Sequence, residues 1–234
     1  MNLDKLNKEQ KISLEQRGFG FYSKCYEQAE LDRMIVALNS DENERSNSPV
    51  FAIRKVILRI PELREIIFNQ KMHELLNEFG LEVNSLTKSI YFDKPEDSNW
   101  FVNYHQDISI SVKEKIETEG YSMWTVKKGV IGVVPPISIL ENTVTIRIHL
   151  DDTNEGNGAL RVLSGSHQDG IQRIENVQIK KEEICKVEAG GLMLMKPLLF
   201  HASSRSVEKK RRRVIHLEFC KLELAGSLEW AEKS

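Results

Sequence analysis

The chain has 234 residues with 33 basic and 35 acidic side chains, a formal net charge of −2; hydrophobic residues make up 40% and charged ones 29%. That balance excludes a disordered chain and one built to coat nucleic acid or anionic membrane, and the length fits one domain, read as 1–234, that buries its own core without disulfides or structural metals. Three dispersed cysteines (Cys25, Cys185, Cys220) form no CxxC pair, the start at Met1 is polar, and no apolar run nears the roughly 18 residues a bilayer needs, so a reduced, cytoplasmic protein is expected.

The first third reads as helical. Tyr26 to Leu38 carries Leu31, Met34, Ile35 and Leu38 at helical spacing, and Ser40 to Ser48 (SDENERSNS) reads as an exposed polar loop. A second helix is predicted to begin at Pro61 and stop before Gly80, burying Leu63, Ile67, Leu75, Leu76 and Phe79. From about Lys88 the period changes to two. The predicted strands are Lys88–Lys94, Phe101–Gln106, Ile108–Val112, Gly129–Val133, Thr143–Leu150, Ala159–Leu163, Ile184–Val187, Leu192–Met195 and Arg212–Phe219, with turns such as Asn154 to Gly158 and Gly190-Gly191 between them. Helices first and short strands afterwards favour a mainly β fold, a barrel or jelly roll backed by helices, over alternating βαβ units. The helical part is placed at 1–85 and the β core at about 86–222.

Of six histidines, four are followed two residues later by a carboxylate: His105/Asp107, His149/Asp151, His167/Asp169 and His216/Glu218. With 35 acidic residues in 234, one such pair is expected by chance, so spacing alone selects none of them. Strand geometry narrows the choice. Residues i and i+2 share a face, so His-x-Asp offers a nitrogen and a carboxylate to one ion, and a third ligand must return on another strand. His201 follows Asp107 after several predicted strands, whereas His167 sits in a Ser-Gly-Ser-His turn close to it in sequence. His149 and Asp151 remain runners-up or pocket lining. Two histidines and one carboxylate with open positions is the arrangement of non-haem Fe(II) oxygenases. Ser203 shares the face of His201, and Arg212, eleven positions beyond it, opens a strand where its planar fork suits a carboxylate.

In these blocks the chain resembles the phytanoyl-CoA dioxygenase family of Fe(II)/2-oxoglutarate oxygenases. The blocks run in order: Phe92 to Ser98 (FDKPEDS), His105-Gln106-Asp107, Asn157 to His167 (NGALRVLSGSH), Pro197 to Ser203 (PLLFHAS) and Arg212 to Ile215 (RRVI), within about Lys88 to Phe219. The resemblance implies a double-stranded β-helix (a cupin-like jelly roll) with supporting N-terminal helices. It implies Fe(II), 2-oxoglutarate and O2 as cofactor and co-substrates, with His105, Asp107 and His201 as iron ligands. Arg212 and Ser203 would take the distal carboxylate of 2-oxoglutarate, with Gln106 and Ile90 near the co-substrate. His167 would not be a ligand. Because Asp107 keeps the carboxylate that halogenating relatives lose, hydroxylation is the expected reaction, with desaturation or ring closure as alternatives.

Where relatives carry an aromatic pocket residue, this chain has Arg147. Alternation on Thr143–Leu150 sets Thr145, Arg147 and His149 on one face, and with Lys88 they suggest a small anionic substrate. The bland reading pairs Arg147 with Asp152 or Glu141. Trp100, Trp124 and Tyr104 are candidates for the entrance; Met123, Met193 and Met195 read as core filler. The alternatives are a non-catalytic jelly-roll binding protein and a cupin-type metal-dependent isomerase or hydrolase. No nucleic-acid or membrane partner is expected, and nothing sets the oligomeric state.

Overall fold

The structure is a computed structural model that describes residues 3–43, 52–96, 101–177, 181–208 and 210–233. Two helices precede the sheets: α1 (Leu3–Arg17) and, after the short strand β1 (Phe19–Tyr22), α2 (Gln28–Asn43). Ser40 therefore continues a helix where a loop is expected, and positions 44–48 lie outside the described residues. Gly18, at φ 85°, ends α1 by returning its N–H to Leu14 O at 3.1 Å, a left-handed C-cap. Then follow β2 (Ala52–Arg54), α3 (Val56–Arg59), α4 (Pro61–Ile67) and α5 (Gln70–Glu78). The single helix expected from Pro61 to Gly80 is thus two. Pro61 starts α4 as predicted, but Asn69 interrupts, its side chain accepting from Met72 N at 3.0 Å to cap α5.

The β region comprises β3 (Leu86–Lys94), β4 (Val102–His105), β5 (Ile110–Val112), β6 (Ser122–Lys127), β7 (Val130–Val134), the short α6 (Ile137–Glu141), β8 (Thr143–His149), β9 (Leu160–Leu163), β10 (Glu182–Cys185), β11 (Leu192–Met195), β12 (His201–Ser203) and β13 (Arg212–Cys220). Each predicted strand has a counterpart; β1, β2, β6 and β12 were not predicted. The strands form a six-stranded sheet in the order β1-β11-β8-β13-β3-β2, a four-stranded sheet β10-β9-β12-β4 and a smaller sheet β5-β7-β6, with antiparallel pairing throughout. Wide crossovers between two facing sheets make the mainly β, cupin-like jelly roll with helical support at its N-terminal side.

The alternation of β8 explains the layering. Val144, Ile146, Ile148 and Leu150 face out and pack with Leu192, Leu194, Ile215 and Leu217 against Leu31, Met34, Leu63, Ile67 and Leu76 of the helices. Burial of such side chains contributes roughly 1.5–3 kcal/mol each and fixes the register, because a one-residue slip would turn the apolar row inward. The opposite face looks into the barrel. One end is filled by Phe19, Met193, Met195, Leu160, Val162 and Leu199, which confirms Met193 and Met195 as core. The other end holds polar side chains in register: Lys88 opposite Glu218, Ile90 opposite His216, which in turn lies opposite Arg147, and Lys94 opposite Arg212. No described helix is long and apolar enough to cross a membrane.

Candidate metal centre and its two cavities

Backbone pairing brings the predicted ligands together. His201 on β12 is the register partner of His105 on β4, and Asp107 is tied to the segment before β12 by its N–H to Pro197 O at 2.9 Å. His105 Nε2 lies 3.8 Å from Asp107 Oδ1, and His201 Nε2 lies 3.6 Å from Asp107 Oδ2. These separations exceed hydrogen bonds and suit groups that share an ion. All three ligand atoms fall within 4.8 Å of one another. Each imidazole is oriented from behind: His105 Nδ1 contacts Asn103 O at 2.8 Å and His201 Nδ1 contacts Leu199 O at 3.0 Å. A carbonyl can only accept, so Nδ1 carries the proton and Nε2 presents its lone pair to the centre.

Charge prepares the same group. Burial lowers His201 to about 4, against the opposing pull of Asp107, so its ring is neutral at physiological pH. Burial would raise Asp107, but His201, His216, Lys88 and His105 outweigh it and hold the carboxyl well below its usual range. Two imidazoles and a carboxylate, with no fourth His, Cys, Asp or Glu in the group among the described residues, fit Fe(II) with open positions. A second described group, Asp107, His216 and Glu218, lies beneath the first. Its His216 and Glu218 are engaged with each other at 3.1 Å, and Glu218 with Lys88 at 2.8 Å.

Two cavities meet at His105 and Asp107. One, about 450 Å³, is lined by Ile90, Phe92, Lys94, Arg147, His201, Ser203, Arg212 and His216 among others. Arg212 is 7% exposed and donates to Gly158 O and, at 3.4 Å, to Ser203 Oγ; no carboxylate partners it among the described residues. Gly158 permits that approach: a Cβ there would lie 2.7 Å from Ser204 O and 2.9 Å from Lys94 Nζ, and φ is 81°. Burial, reinforced by Arg147, pushes Arg212 downward, and burial with Arg212 pushes Lys94 to about 8. Lys94, Arg147 and Arg212 on one cavity make it a place suited to an anion. Ser203 and Ile90 line this cavity as expected.

The structure places the other expected residues as follows. Lys88 does reach the wall, but its ammonium is neutralised by Glu218 at 2.8 Å and bonded to Ser109 O at 2.7 Å. His149 does not line either cavity; it is buried against Thr153 Oγ1 at 2.8 Å. Gln106 points away from its neighbours' metal face, and its amide donates to Gly170 O and Leu198 O while accepting from Gln172 N. It braces a loop and is absent from the Arg212 cavity. Arg147 contacts neither Asp152 nor Glu141. Its Nη1 meets His216 Nδ1 at 3.1 Å, its plane lies 5.8 Å from the Phe92 ring, and its buried Nε has no partner. Tyr104 is bonded to Glu182, Trp124 packs in the small-sheet core, and Trp100 lies outside the described residues. Met123 is 69% exposed, not core. His167 meets Glu15 O at 3.1 Å, remote from the ligand group.

Sequence reading missed Lys94, His216 and Glu218 as cavity walls, although counting by twos from Arg212 along β13 reaches both of the latter. It also missed Glu232, which comes from the far C-terminal segment to bond Ser89 N at 2.7 Å and Ser89 Oγ. Burial raises Glu232 to about 7, opposed by the Ser89 hydrogen bonds and by Lys55 and Lys88. A raised carboxyl pKa means that the folded state prefers the proton. Its contribution to stability is complete below the ordinary 4.5 and is lost as pH climbs through 7. Glu232→Gln should therefore be stabilised relative to wild type by on the order of 3 kcal/mol more at pH 8 than at pH 4. Urea midpoints measured across that range check it; parallel curves for the two proteins would refute it.

Fold and site together define a non-haem oxygenase of the 2-oxoglutarate type. A family model described as phytanoyl-CoA dioxygenase matches residues 40–214, and the chain belongs to that family. Its members use Fe(II), 2-oxoglutarate and O2 on small molecules, and these are the cofactors here. No curated protein matched the chain. Among solved structures, the chain is similar to the non-haem α-ketoglutarate-dependent carbocyclase SnoK from nogalamycin biosynthesis, at 12% identity, TM-score 0.69, covering 99% of this chain and 89% of that one. EctD from S. alaskensis gives 14%, 0.68, 92% and 78%. HygX from Streptomyces hygroscopicus, solved with nickel and 2-oxoglutarate bound, gives 13%, 0.63, 93% and 88%.

Proposed function

We propose that the chain is a single-domain hydroxylase that oxidises an unactivated C–H bond of a small anionic metabolite, with His105, Asp107 and His201 holding the iron. The supporting observation is the buried Arg212, which shares a cavity with that triad and, among the described residues, has only a carbonyl and a hydroxyl as partners. A cupin-type isomerase leaves such a cation without a task. The bound iron supplies oxidising power when 2-oxoglutarate is converted to succinate and carbon dioxide.

The chain's own residues bind and orient. Arg212 receives the distal carboxylate of 2-oxoglutarate, and Ser203 adds a hydroxyl within the same pocket. Arg147 and Lys94 raise the local positive potential, so the co-substrate's second negative charge enters a favourable field. Phe92, Ile90 and Val102 exclude water along the remaining wall. Asp107 fills the ligand position that a halide would need. SnoK, described as a carbocyclase, shows that this fold also serves C–C closure, so reaction type rests on assay. Purified protein with Fe(II), ascorbate and 2-oxoglutarate should form succinate slowly without prime substrate, and no halide should be incorporated when substrate is present. Absence of succinate at any 2-oxoglutarate concentration would sink the oxygenase reading.

A further inference from the structure

The second cavity, about 470 Å³, shares His105 and Asp107 with the first and does not include Arg212. Ile90, Phe92, Ile108, Ile110 and Val130 give it apolar lining, interspersed with Ser89, Ser109, Ser111 and Thr125. Its rim is basic. Arg54 and Lys55 come from the β2–α3 junction, and Lys127 from the end of β6 across the opening. Neither the Arg54 nor the Lys127 side chain has a hydrogen bond or ion pair with any described residue. Lys55 acts through space on Glu232, the carboxylate on this wall besides Asp107.

The backbone is strained at the same place. Among the described residues four non-glycine residues have positive φ, and two of them line this cavity, Lys55 at 55° and Met123 at 54°; Lys128, at 49°, belongs with Gly129 to the two-residue β6–β7 hairpin turn. Lys55 is held in that conformation by its N–H to Ser89 O at 2.8 Å, and Met123 sits where the β6–β7 register shifts. Lys128 lines a smaller adjoining cavity that also contains Arg54 and Lys55. Left-handed backbone at residues with long side chains is costly and persists where the surroundings impose it, commonly at binding sites. Here it turns an ammonium and an exposed thioether toward one opening.

We propose that this chamber binds the prime substrate and takes an amphipathic molecule whose terminal oxyanion, phosphate or carboxylate, is held by Arg54, Lys55 and Lys127 while its apolar body reaches the iron side. The proposal rests on the oxygenase reading and moves the anion-recognising role from Lys88 and His149, which are engaged elsewhere, to three residues at the rim. A flexible basic pair facing a third cation suits an oxyanion better than a neutral head, and salt should weaken the contact because the rim is solvated.

The test is calorimetry with octyl phosphate, octanoate and 1-octanol, on protein saturated with Ni(II) and 2-oxoglutarate so that the Arg212 cavity is occupied. Octyl phosphate or octanoate, or both, should bind at least about tenfold more tightly than octanol; whichever anion binds better identifies the head group. Arg54→Gln/Lys127→Gln should weaken that anion about tenfold or more and leave octanol unchanged; the single exposed change Lys127→Glu should act in the same direction. Equal affinity for octanol and both anions, or anion binding indifferent to these substitutions, would overturn the proposal. Succinate formation without prime substrate is measured on the same variants. Its absence in wild type overturns the oxygenase reading, whereas the calorimetry decides the anion site on its own.

Discussion

Arg212→Ala should raise the apparent KM for 2-oxoglutarate roughly 30- to several-thousand-fold while iron affinity stays near wild type. Removing one partner of a buried charge pair typically costs about 2–5 kcal/mol, and each 1.4 kcal/mol is tenfold in affinity. Arg147 and Lys94 line the same cavity and will retain part of the attraction, which favours the lower half of that range. Arg212→Lys should rescue partially, since an ammonium lacks the planar fork and is shorter. The neighbours are built-in controls. Arg211 is bound to Asp93, with Nε–Oδ1 at 2.9 Å, and Arg213 grips Asp151 through contacts at 2.9 and 2.6 Å. Alanine at either should lower stability and leave the KM within a few-fold. A KM unmoved by Arg212→Ala would remove 2-oxoglutarate from this cavity.

His105→Ala and His201→Ala should each abolish turnover and stoichiometric binding of Fe(II) or Co(II), followed by metal analysis and calorimetry. The loss should exceed the roughly 10- to 100-fold that removal of an outer hydrogen-bonding partner costs. His167→Ala separates this assignment from the rival HxD pair. Its ring lies over Gly18, 2.6 Å from where a Cβ would stand, and contacts Glu15 O at 3.1 Å, so alanine there loosens the α1 junction without touching iron. An inactive His167→Ala with intact metal content in His201→Ala would reverse the assignment.

Much of the frame was legible because burial leaves a period. The alternation of Thr143–Leu150 anticipated both the helix-covered face and the inward Arg147, and β11 matched its predicted limits. What was missed lacked such a signal. β2 and β12 are three residues each, too short to show alternation. The break at Asn69 looked like continuous amphipathic helix, since one capping side chain leaves the spacing of Leu63, Ile67, Leu75 and Leu76 intact. The proposed triad was legible because His105 ends β4 with Asp107 two positions on, and the returning β12 brings His201 beside them. Lys88 was misjudged for the opposite reason: the partner that neutralises it, Glu218, is 130 positions away and adjacent only through β3–β13 register. Arg54, Lys55 and Lys127 are ordinary surface charges in one dimension and become a rim only when β2 and β6 face each other.

The register partnership of His105 with His201 has a thermodynamic corollary. Main-chain hydrogen bonds between β4 and β12, with Asp107 N on Pro197 O, already place all three ligand-bearing segments. Metal capture then orders little polypeptide, and its free energy is not spent on assembling the fold, unlike small domains that are unfolded without their ion. Stabilisation by iron follows simple mass action, growing with the logarithm of free metal over its dissociation constant. A chelated preparation should accordingly keep the slow-exchanging amides of both sheets, and exchange of one divalent ion for another should be a local ligand substitution within a scaffold already assembled.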